Sequence, residues 1–310
     1  MDNIHKTNRP EKVYNYLKSG NTSISDFVKY SSSVLYSEDY AKSLELSLMG
    51  LKKAPLSPVF NRIAMYSSVP LGKNEDAIKY ADALFNKSDK PEINYYDYTN
   101  YGQALSSLKQ YDLAIEQFRK AIKLDSTQIG FWTKISDLYE FKQDYKSSIA
   151  AYSTYMKSLP VDKVNNPDII IALAKKYYSY GSLETTPADI KKASLQTADS
   201  IFAKVAELEP TSYRGNFYRA RTNLALDPDS KTDVAKGFYE QTLAFVESKA
   251  DVRYNQVLIE SCRFLGGYYY QKRDYVKSKT FWEKILTIEP KNELAIRLVD
   301  AIDKAQKGKK

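Results

Sequence analysis

The sequence predicts an all-α protein, a solenoid of repeated helix hairpins. Three observations support this prediction: one helix-like stretch recurs, its copies follow a regular period, and the composition is globular. The clearest copy, "YDLAIEQFRKAIKLD", begins at Tyr111, and the stretch that begins at Tyr145 lies 34 residues further on. Related stretches begin at Tyr40 and Tyr275. A fixed period of about 20 to 50 residues is typical of solenoids, in which each unit buries its apolar face against its neighbours.

The composition permits a chain with several hydrophobic cores. The 310 residues are 43% hydrophobic and 27% charged, which is too apolar for an intrinsically disordered chain. No run approaches the 18 or so apolar residues that a membrane-spanning helix needs. The first ten residues, "MDNIHKTNRP", contain no apolar stretch typical of a signal peptide. The single cysteine excludes an internal disulfide framework.

The residue inventory argues against catalysis. His5 is the single histidine, whereas zinc sites and Ser-His-Asp triads both depend on placed imidazoles. The sequence contains no G-x-G-x-x-G, G-x-x-x-x-G-K-[ST], G-x-S-x-G or H-E-x-x-H motif. We therefore predict a protein that is not an enzyme and that needs neither a cofactor nor a metal, with His5 as a bystander.

The formal charge of +8 has two interpretations. It is compatible with an anionic partner, because a net charge attracts oppositely charged molecules. It also serves solubility alone, which is the interpretation that the sequence favours.

Three stretches place small residues at the same two positions of the period. Small residues at these positions let two antiparallel helices approach closely, while large residues nearby fill the space between hairpins. Tyr139, Tyr177 and Tyr269 fall on such large positions, which predicts that they are core residues rather than ligand contacts. The small pairs are Gly102 with Ala114, Ser136 with Ser148, and Gly266 with Ser278.

This pattern over two helical segments resembles the tetratricopeptide repeat (TPR) family. The resemblance implies a right-handed α-solenoid of about seven hairpins with a C-terminal capping helix. It also puts Cys262 at the position of the family's tryptophan, which implies a buried small hydrophobic residue. The matching residues of the best unit are Tyr98, Tyr101, Gly102, Leu105, Ala114, Phe118 and Ala121.

The predicted array covers residues 24–292. Residues 1–23 are predicted to be a partial repeat or an N-terminal cap helix, and residues 293–310 a capping helix with a frayed tail. The predicted units are 24–57, 58–91, 95–128, 129–162, 167–212, 213–249 and 259–292.

Two units are longer than the period. The fifth carries about twelve extra residues near 181–194, and the sixth about three at "LDPDSKTD". Thr186 before Pro187 predicts a helix N-cap, with a long second helix over residues 187–208 and Asp189 in its first turn. Such insertions serve binding in some repeat proteins and are neutral drift in others, and the sequence does not choose between them.

In stacked hairpins the first helices line a concave groove. Positions two, five, six, nine and twelve of each unit are predicted to face it, which suits an extended peptide because amides and arginines bond its main chain and carboxylates. Arg214 and Arg221, with Lys175, are candidates to hold an acidic segment. The groove candidates are Arg62, Tyr66, Tyr96, Asn100, Gln103, Lys134, Asp137, Lys175, Tyr178, Arg214, Tyr218, Arg221, Arg263 and Tyr270.

We therefore predict a non-catalytic scaffold that binds a protein or peptide, and an acidic segment is one candidate partner. The alternative is a nucleic-acid-binding helical repeat, which the net charge permits but which the 38 interleaved acidic residues disfavour. The stretch "RARTNLALDPDS" resembles a TPR variant of exported proteins from Bacteroidetes-type bacteria. That resemblance implies a periplasmic or exported protein if a signal peptide has been removed, and a cytoplasmic protein otherwise.

Overall fold

The computed structural model describes residues 23–307. Within this range it contains fifteen α-helices and one short 3-10 helix, Val252–Tyr254, and no β-strand. The all-α solenoid class predicted from the period is confirmed. Residues 1–22 of the predicted partial repeat or cap helix lie outside the described range, His5 among them, as do the last three residues of the chain.

The chain divides into two compact units, Met1–Asp144 and Tyr145–Lys310. In each unit, helices that follow one another in the chain pack against each other. The described helices of the first unit are α1 Ile24–Tyr36, α2 Tyr40–Lys53, α3 Pro58–Ser68, α4 Asn74–Asn86, α5 Tyr95–Ser107, α6 Tyr111–Leu124 and α7 Phe131–Phe141. Those of the second unit are α8 Tyr145–Lys157, α9 Pro167–Ser182, α10 Ala188–Leu208, α11 Arg214–Leu226, α12 Val234–Lys249, α13 Asn255–Gln271, α14 Tyr275–Ile288 and α15 Glu293–Lys307.

Polar side chains cap the N-termini of several of these helices. The Oγ of Ser23 accepts a hydrogen bond from the backbone N–H of Asp26 at 3.1 Å, which satisfies a donor that the first turn leaves free. Ser57 caps α3 directly before Pro58, whose missing N–H costs nothing at the first helical position. Asn94 and Asp97 form a reciprocal capping box at the start of α5.

The small residues predicted at helix contacts occupy them in both units. In the first unit, a Cβ added at Gly102 would lie 3.1 Å from the ring of Phe118, so the glycine lets α5 and α6 approach closely. In the second unit, Ser278 Oγ donates a hydrogen bond to the carbonyl of Gly266 at 2.8 Å across the same kind of contact. The repeat therefore specifies helix approach, as its pattern predicted.

Apolar side chains between the hairpins form the core of the second unit. Cys262 is fully buried, and its burial raises the pKa of the thiol to about 12. It is thus the small hydrophobic residue that the repeat register predicted. At the C-terminal end, α15 packs on α14 and buries Ala295 and Ile302, which covers the last hairpin.

The first insertion differs from its prediction in one detail. Helix α10 begins at Ala188, and Pro187 stands at the cap position without a side-chain hydrogen bond. Thr186 is therefore not the N-cap, and that prediction was wrong. Its Oγ1 instead donates to the carbonyl of Tyr180 at 2.9 Å, which ties the insertion back to the end of α9. Asp189 does lie in the first turn of α10.

Candidate functional site

Two of the predicted groove residues of the first unit meet a buried carboxylate. Arg62 on α3 donates from Nε to Asp97 Oδ1 at 2.7 Å and from Nη2 to Asp97 Oδ2 at 2.9 Å. The hydroxyl of Tyr66 donates to the same Oδ1 at 2.9 Å, and the backbone N–H of Asn94 donates to Oδ2 at 3.0 Å. We call Arg62, Tyr66, Asn94 and Asp97 the Asp97 cluster. It joins α3 to α5.

Burial makes the Asp97 cluster a closed arrangement. The Asp97 side chain is fully buried and that of Arg62 is 21% exposed. The hydrogen bond to Asp97 raises the pKa of Arg62. Burial, with the negative charge of Asp97, raises the pKa of Tyr66 well above its usual value. The polar groups of Arg62 and Tyr66 therefore form hydrogen bonds between hairpins.

The other candidates of the first unit are more accessible. Tyr96 is 55% exposed, and its ring centroid lies 4.0 Å from that of Tyr95. The side-chain amide of Asn100 donates to the carbonyl of Tyr96 at 2.9 Å. Gln103 follows on the exposed side of α5. On α7, the remaining two candidates, Lys134 and Asp137, are also exposed.

Seven candidates of the second unit lie on its first helices α9, α11 and α13, and we call all of them except Tyr270 the first-helix face. The Nζ of Lys175 on α9 lies 4.8 Å from the ring centroid of Tyr218 on α11, a distance at which a cation is attracted to an aromatic ring. Tyr218 in turn stacks on Phe202, with ring centroids 4.9 Å apart. The members of the first-helix face are Lys175, Tyr178, Arg214, Tyr218, Arg221 and Arg263.

Carboxylates of its own chain hold the guanidinium of Arg214. It donates from Nε and Nη2 to Glu209 at 3.0 and 2.6 Å, and from Nη1 to Asp168 at 2.5 Å. The hydrogen bonds to Glu209, followed by those to Asp168, raise the pKa of Arg214. Three of its donor positions are thus already engaged, and a ligand would have to displace one of these acids.

Arg221 pairs with a carboxylate of the next hairpin in a more open setting. Its Nε donates to Glu260 Oε1 at 2.6 Å, its Nη2 contacts Oε2, and the Tyr239 hydroxyl donates to Oε1 at 3.3 Å. We call Arg221, Tyr239 and Glu260 the Glu260 cluster. The side chains of Arg221 and Glu260 are 40% and 32% exposed. The hydrogen bond to Glu260 raises the pKa of Arg221, and burial raises that of Tyr239.

The Glu260 cluster borders a cavity of about 230 Å³. Arg263, which is exposed on the next turn of α13, forms part of the wall. Phe217 contributes apolar surface and carries the Arg221 guanidinium 4.5 Å from its ring centroid. The remaining candidate, Tyr270, lies further along α13, where its ring meets Tyr275 edge to face.

Comparison with known proteins agrees with the hairpin architecture. A family model for the tetratricopeptide repeat matches residues 98–128, and known structures with the same fold are themselves repeat proteins of this kind. Residues 98–128 thus match the tetratricopeptide repeat family, and the chain has the fold of known TPR proteins. No curated protein is significantly similar to it in sequence.

Two solved TPR structures illustrate the similarity. The C-terminal part of a TPR repeat-containing protein from Cytophaga hutchinsonii has a TM-score of 0.69 and 28% identity, covering 88% of this chain and 99% of that chain. YrrB, described as a TPR protein with an unusual peptide-binding site, has a TM-score of 0.50 and 11% identity, covering 66% of this chain and 96% of that chain. The second likeness is one of fold alone.

The TPR register contained a signal for the acids that sequence reasoning missed. Asp168 and Glu260 occupy the second position of their repeat units, as Arg214 does in its own, so the register could have identified a groove-facing acid at both sites. Asp97 is different, because it follows Asn94 by three residues in a capping-box pattern, which indicates a helix start and no ion pair. The arginines were therefore chosen without the carboxylates that bind them.

Two other features are absent from the described residues, a metal-binding cluster and a membrane-spanning helix. Between residues 23 and 307, no three His, Cys, Asp or Glu side chains converge in an arrangement that would hold a metal ion. Each helix in that range is too short or too polar to cross a lipid bilayer. The exposed polar and aromatic residues of the first helices are thus the candidate surface that the geometry supports.

Proposed function

We propose that this TPR protein is a non-catalytic scaffold that binds a protein or peptide segment on the first-helix face of its second unit. The observation that carries this proposal is the open Glu260 cluster beside Arg263 and its cavity. Polar groups there are ordered by one another yet remain in contact with solvent, as a recognition surface requires. A buried cluster of the same chemistry would leave no polar group accessible to a partner.

The chemistry of the face suits an extended segment with polar groups. Tyr178 and Tyr218 provide rigid contact area, and aromatic residues of this kind are enriched where binding energy is concentrated. Lys175 and Arg263 are exposed, and no ion pair holds either of them among the described residues. We therefore assign contact with a partner carboxylate to these two cations, whereas Arg214 is already bound by Glu209 and Asp168.

Binding of a nucleic acid is the less favoured function. Cationic side chains that neutralise a phosphate backbone release the counterions condensed on the nucleic acid, so affinity falls steeply as the salt concentration rises. On the first-helix face, Arg214 and Arg221 are neutralised by carboxylates of the same chain. Those acids would repel a phosphate, so we infer a protein partner.

Peptide selection on the purified full chain tests the proposal. A phage-displayed library of random peptides is selected against the protein, and enriched peptides are synthesised with a fluorescent label. We expect their affinity to fall at least about tenfold when Lys175 and Arg263 are both changed to glutamate. The matched control changes Lys204 and Arg297, two exposed residues outside the face, to glutamate.

The outcomes separate the alternatives. Equal loss in both double variants would mean that the peptides respond to net charge alone, and the proposed surface would be rejected. A labelled single-stranded oligoribonucleotide is titrated in parallel at rising salt. Tight binding of this probe that persists near 150 mM salt, with no enriched peptide, would replace the scaffold function by the nucleic-acid alternative.

A further inference from the structure

The two insertions that break the repeat period line a single cavity in the second unit. One wall comes from the end of α9 and the start of α10, which flank the first insertion. The opposite wall comes from the end of α11 and the loop of the second insertion. The lining includes Gly181, Lys191, Lys192, Leu195, Leu226 and Thr232, and the volume is about 700 Å³. Two separate departures from the period thus build one concave surface, which we call the insertion cavity.

Hydrogen bonds hold both walls in place. Thr186 is buried in the first insertion and donates to the carbonyl of Tyr180 at 2.9 Å. In the second insertion, Asp227 Oδ2 accepts from the backbone N–H of Thr232 at 2.7 Å and from its Oγ1 at 2.9 Å. These bonds lower the pKa of Asp227, which stays charged at neutral pH. The cavity is therefore built by folded loops.

Charge distinguishes one end of the insertion cavity from the other. Lys191 and Lys192, on the first turn and a half of α10, form no ion pair among residues 23–307. A neighbouring cation behaves differently, since Arg219 is held by both oxygens of Asp199 at 3.1 and 3.2 Å. The one acidic side chain of the lining, Asp227, is engaged by Thr232 in the opposite wall. An anionic group is thus favoured at the lysine end.

The remaining lining adds apolar surface and amides. Leu195 and Leu226 supply the apolar part, and the side-chain amide of Gln196 has no hydrogen bond within the described part of the chain. The volume falls within the range of about 300 to 1,000 Å³ that is usual for bound ligands. It would accommodate a few residues of a peptide whose acidic and apolar side chains alternate.

We propose that the insertion cavity binds a short acidic peptide segment of a partner protein. Its carboxylates pair with Lys191 and Lys192, and an apolar side chain lies between Leu195 and Leu226. This site is separate from the first-helix face and does not depend on it. Insertions in repeat proteins lie in loops on one face, and that face is often a binding face. Here the two loops supply both the shape and the charge.

Fluorescence polarisation with a defined probe tests this site. The probe is a labelled six-residue peptide of alternating glutamate and leucine, titrated into the full chain. Changing Lys191 and Lys192 to glutamate is expected to weaken binding at least about tenfold, and the same change at Lys204 and Lys291 less than about twofold. Ala188→Trp fills the cavity without changing the charge, because Ala188 is an exposed lining residue, and it is also expected to weaken binding.

Each result decides the proposal. Equal loss in the two lysine pairs, or full affinity in Ala188→Trp, would overturn it. Binding of inorganic tripolyphosphate or of a leucine-free glutamate peptide with equal affinity would identify a general polyanion site and also overturn it. The Lys175 and Arg263 double variant is expected to keep full affinity for this probe. A loss there would place the peptide on the first-helix face instead.

Discussion

In both units the same side-chain chemistry joins neighbouring hairpins, but the side chains are buried to different extents. In each, an arginine and a tyrosine donate to a carboxylate on the first helix of the following hairpin. The first unit uses Arg62 and Tyr66 on Asp97, and the second uses Arg221 and Tyr239 on Glu260. The Asp97 carboxylate also accepts a backbone N–H and is fully buried. The Glu260 side chain is 32% exposed.

This difference separates a structural contact from a surface that a partner can reach. A buried ion pair is costly to break, because the partner left behind keeps an uncompensated charge in a low dielectric. An exposed pair contributes little, because water and salt screen it. The Asp97 cluster thus stabilises the hairpin stack, whereas Arg221 and Glu260 can exchange contacts with a ligand at small cost.

Asp97→Asn should have the largest effect on stability. It removes the negative charge from beneath Arg62, and we expect a loss of about 3 kcal/mol in the free energy of unfolding of the first unit. The chain has two tryptophans, Trp132 in the first unit and Trp282 in the second. Urea unfolding followed by fluorescence in a Trp282→Phe background therefore reports on the first unit.

The control for this prediction is Asp82→Asn. Asp82 pairs with Lys87 in the same unit, but both side chains are well exposed, at 44% and 65%. The loss there is expected to stay below about 1 kcal/mol. If the two variants lose equal stability, the assignment of Asp97 as a buried structural partner is wrong.

Gly266→Ala and Gly267→Ala are expected to change stability in opposite directions. A Cβ at Gly266 would lie 2.7 Å from Nε1 of the buried Trp282, so overpacking should cost about 1 to 2 kcal/mol. A Cβ at Gly267 meets no atom within 4 Å, and alanine there should gain up to about 1 kcal/mol through helix propensity. Urea unfolding followed by Trp282 fluorescence measures both. A loss of stability in Gly267→Ala would contradict the packing of α13.

Glu260→Gln tests the contribution of the Glu260 cluster to stability, for comparison with that of the Asp97 cluster. We expect a loss below about 1 kcal/mol, because both side chains of the pair are about a third exposed or more. The same change frees Arg221 and should alter the affinity of peptides selected on the first-helix face. Urea unfolding and peptide titration on one preparation give both values. A loss near that of Asp97→Asn would remove the distinction between the two clusters.

The smallest effect concerns alkaline pH. Tyr66 and Tyr239 have pKa values raised above 10, chiefly by burial, so the folded chain keeps protons that the unfolded chain releases. Their contribution to stability is complete below pH 10 and is lost as pH rises through the folded pKa. Tyr66→Phe and Tyr239→Phe should therefore lose less stability than the unmodified chain between pH 8 and pH 11.

Urea midpoints at the two pH values measure this difference. Tyr36→Phe is the control, because the Tyr36 side chain is 86% exposed. Titration of lysines in the same range is common to all variants and cancels in the comparison. Identical slopes for the two buried positions and for Tyr36 would show that their hydroxyls are not held as the structure describes.

Much of the fold followed from local spacing, and the candidate site did so only in part. Gly102 and Gly266 could be placed at helix contacts because a small residue at a fixed register position has one structural use. Thr186 was misplaced, because its hydroxyl bonds Tyr180 across the insertion, and cap propensity carries no information about that contact. The sequence predicted that Arg62 and Arg221 lie on first helices, but it did not predict the carboxylates that bind them.

The sequence by itself determined the helices, their period and the residues that let them approach, because these depend on positions a few residues apart. Only the tertiary structure decided which arginine forms a buried ion pair and which forms a solvent-accessible one. Arg62 reaches a carboxylate 35 positions away and Arg221 one 39 positions away. At such separations the pairing and its burial depend on how neighbouring hairpins stack. The same stacking brought the two insertions to a common cavity.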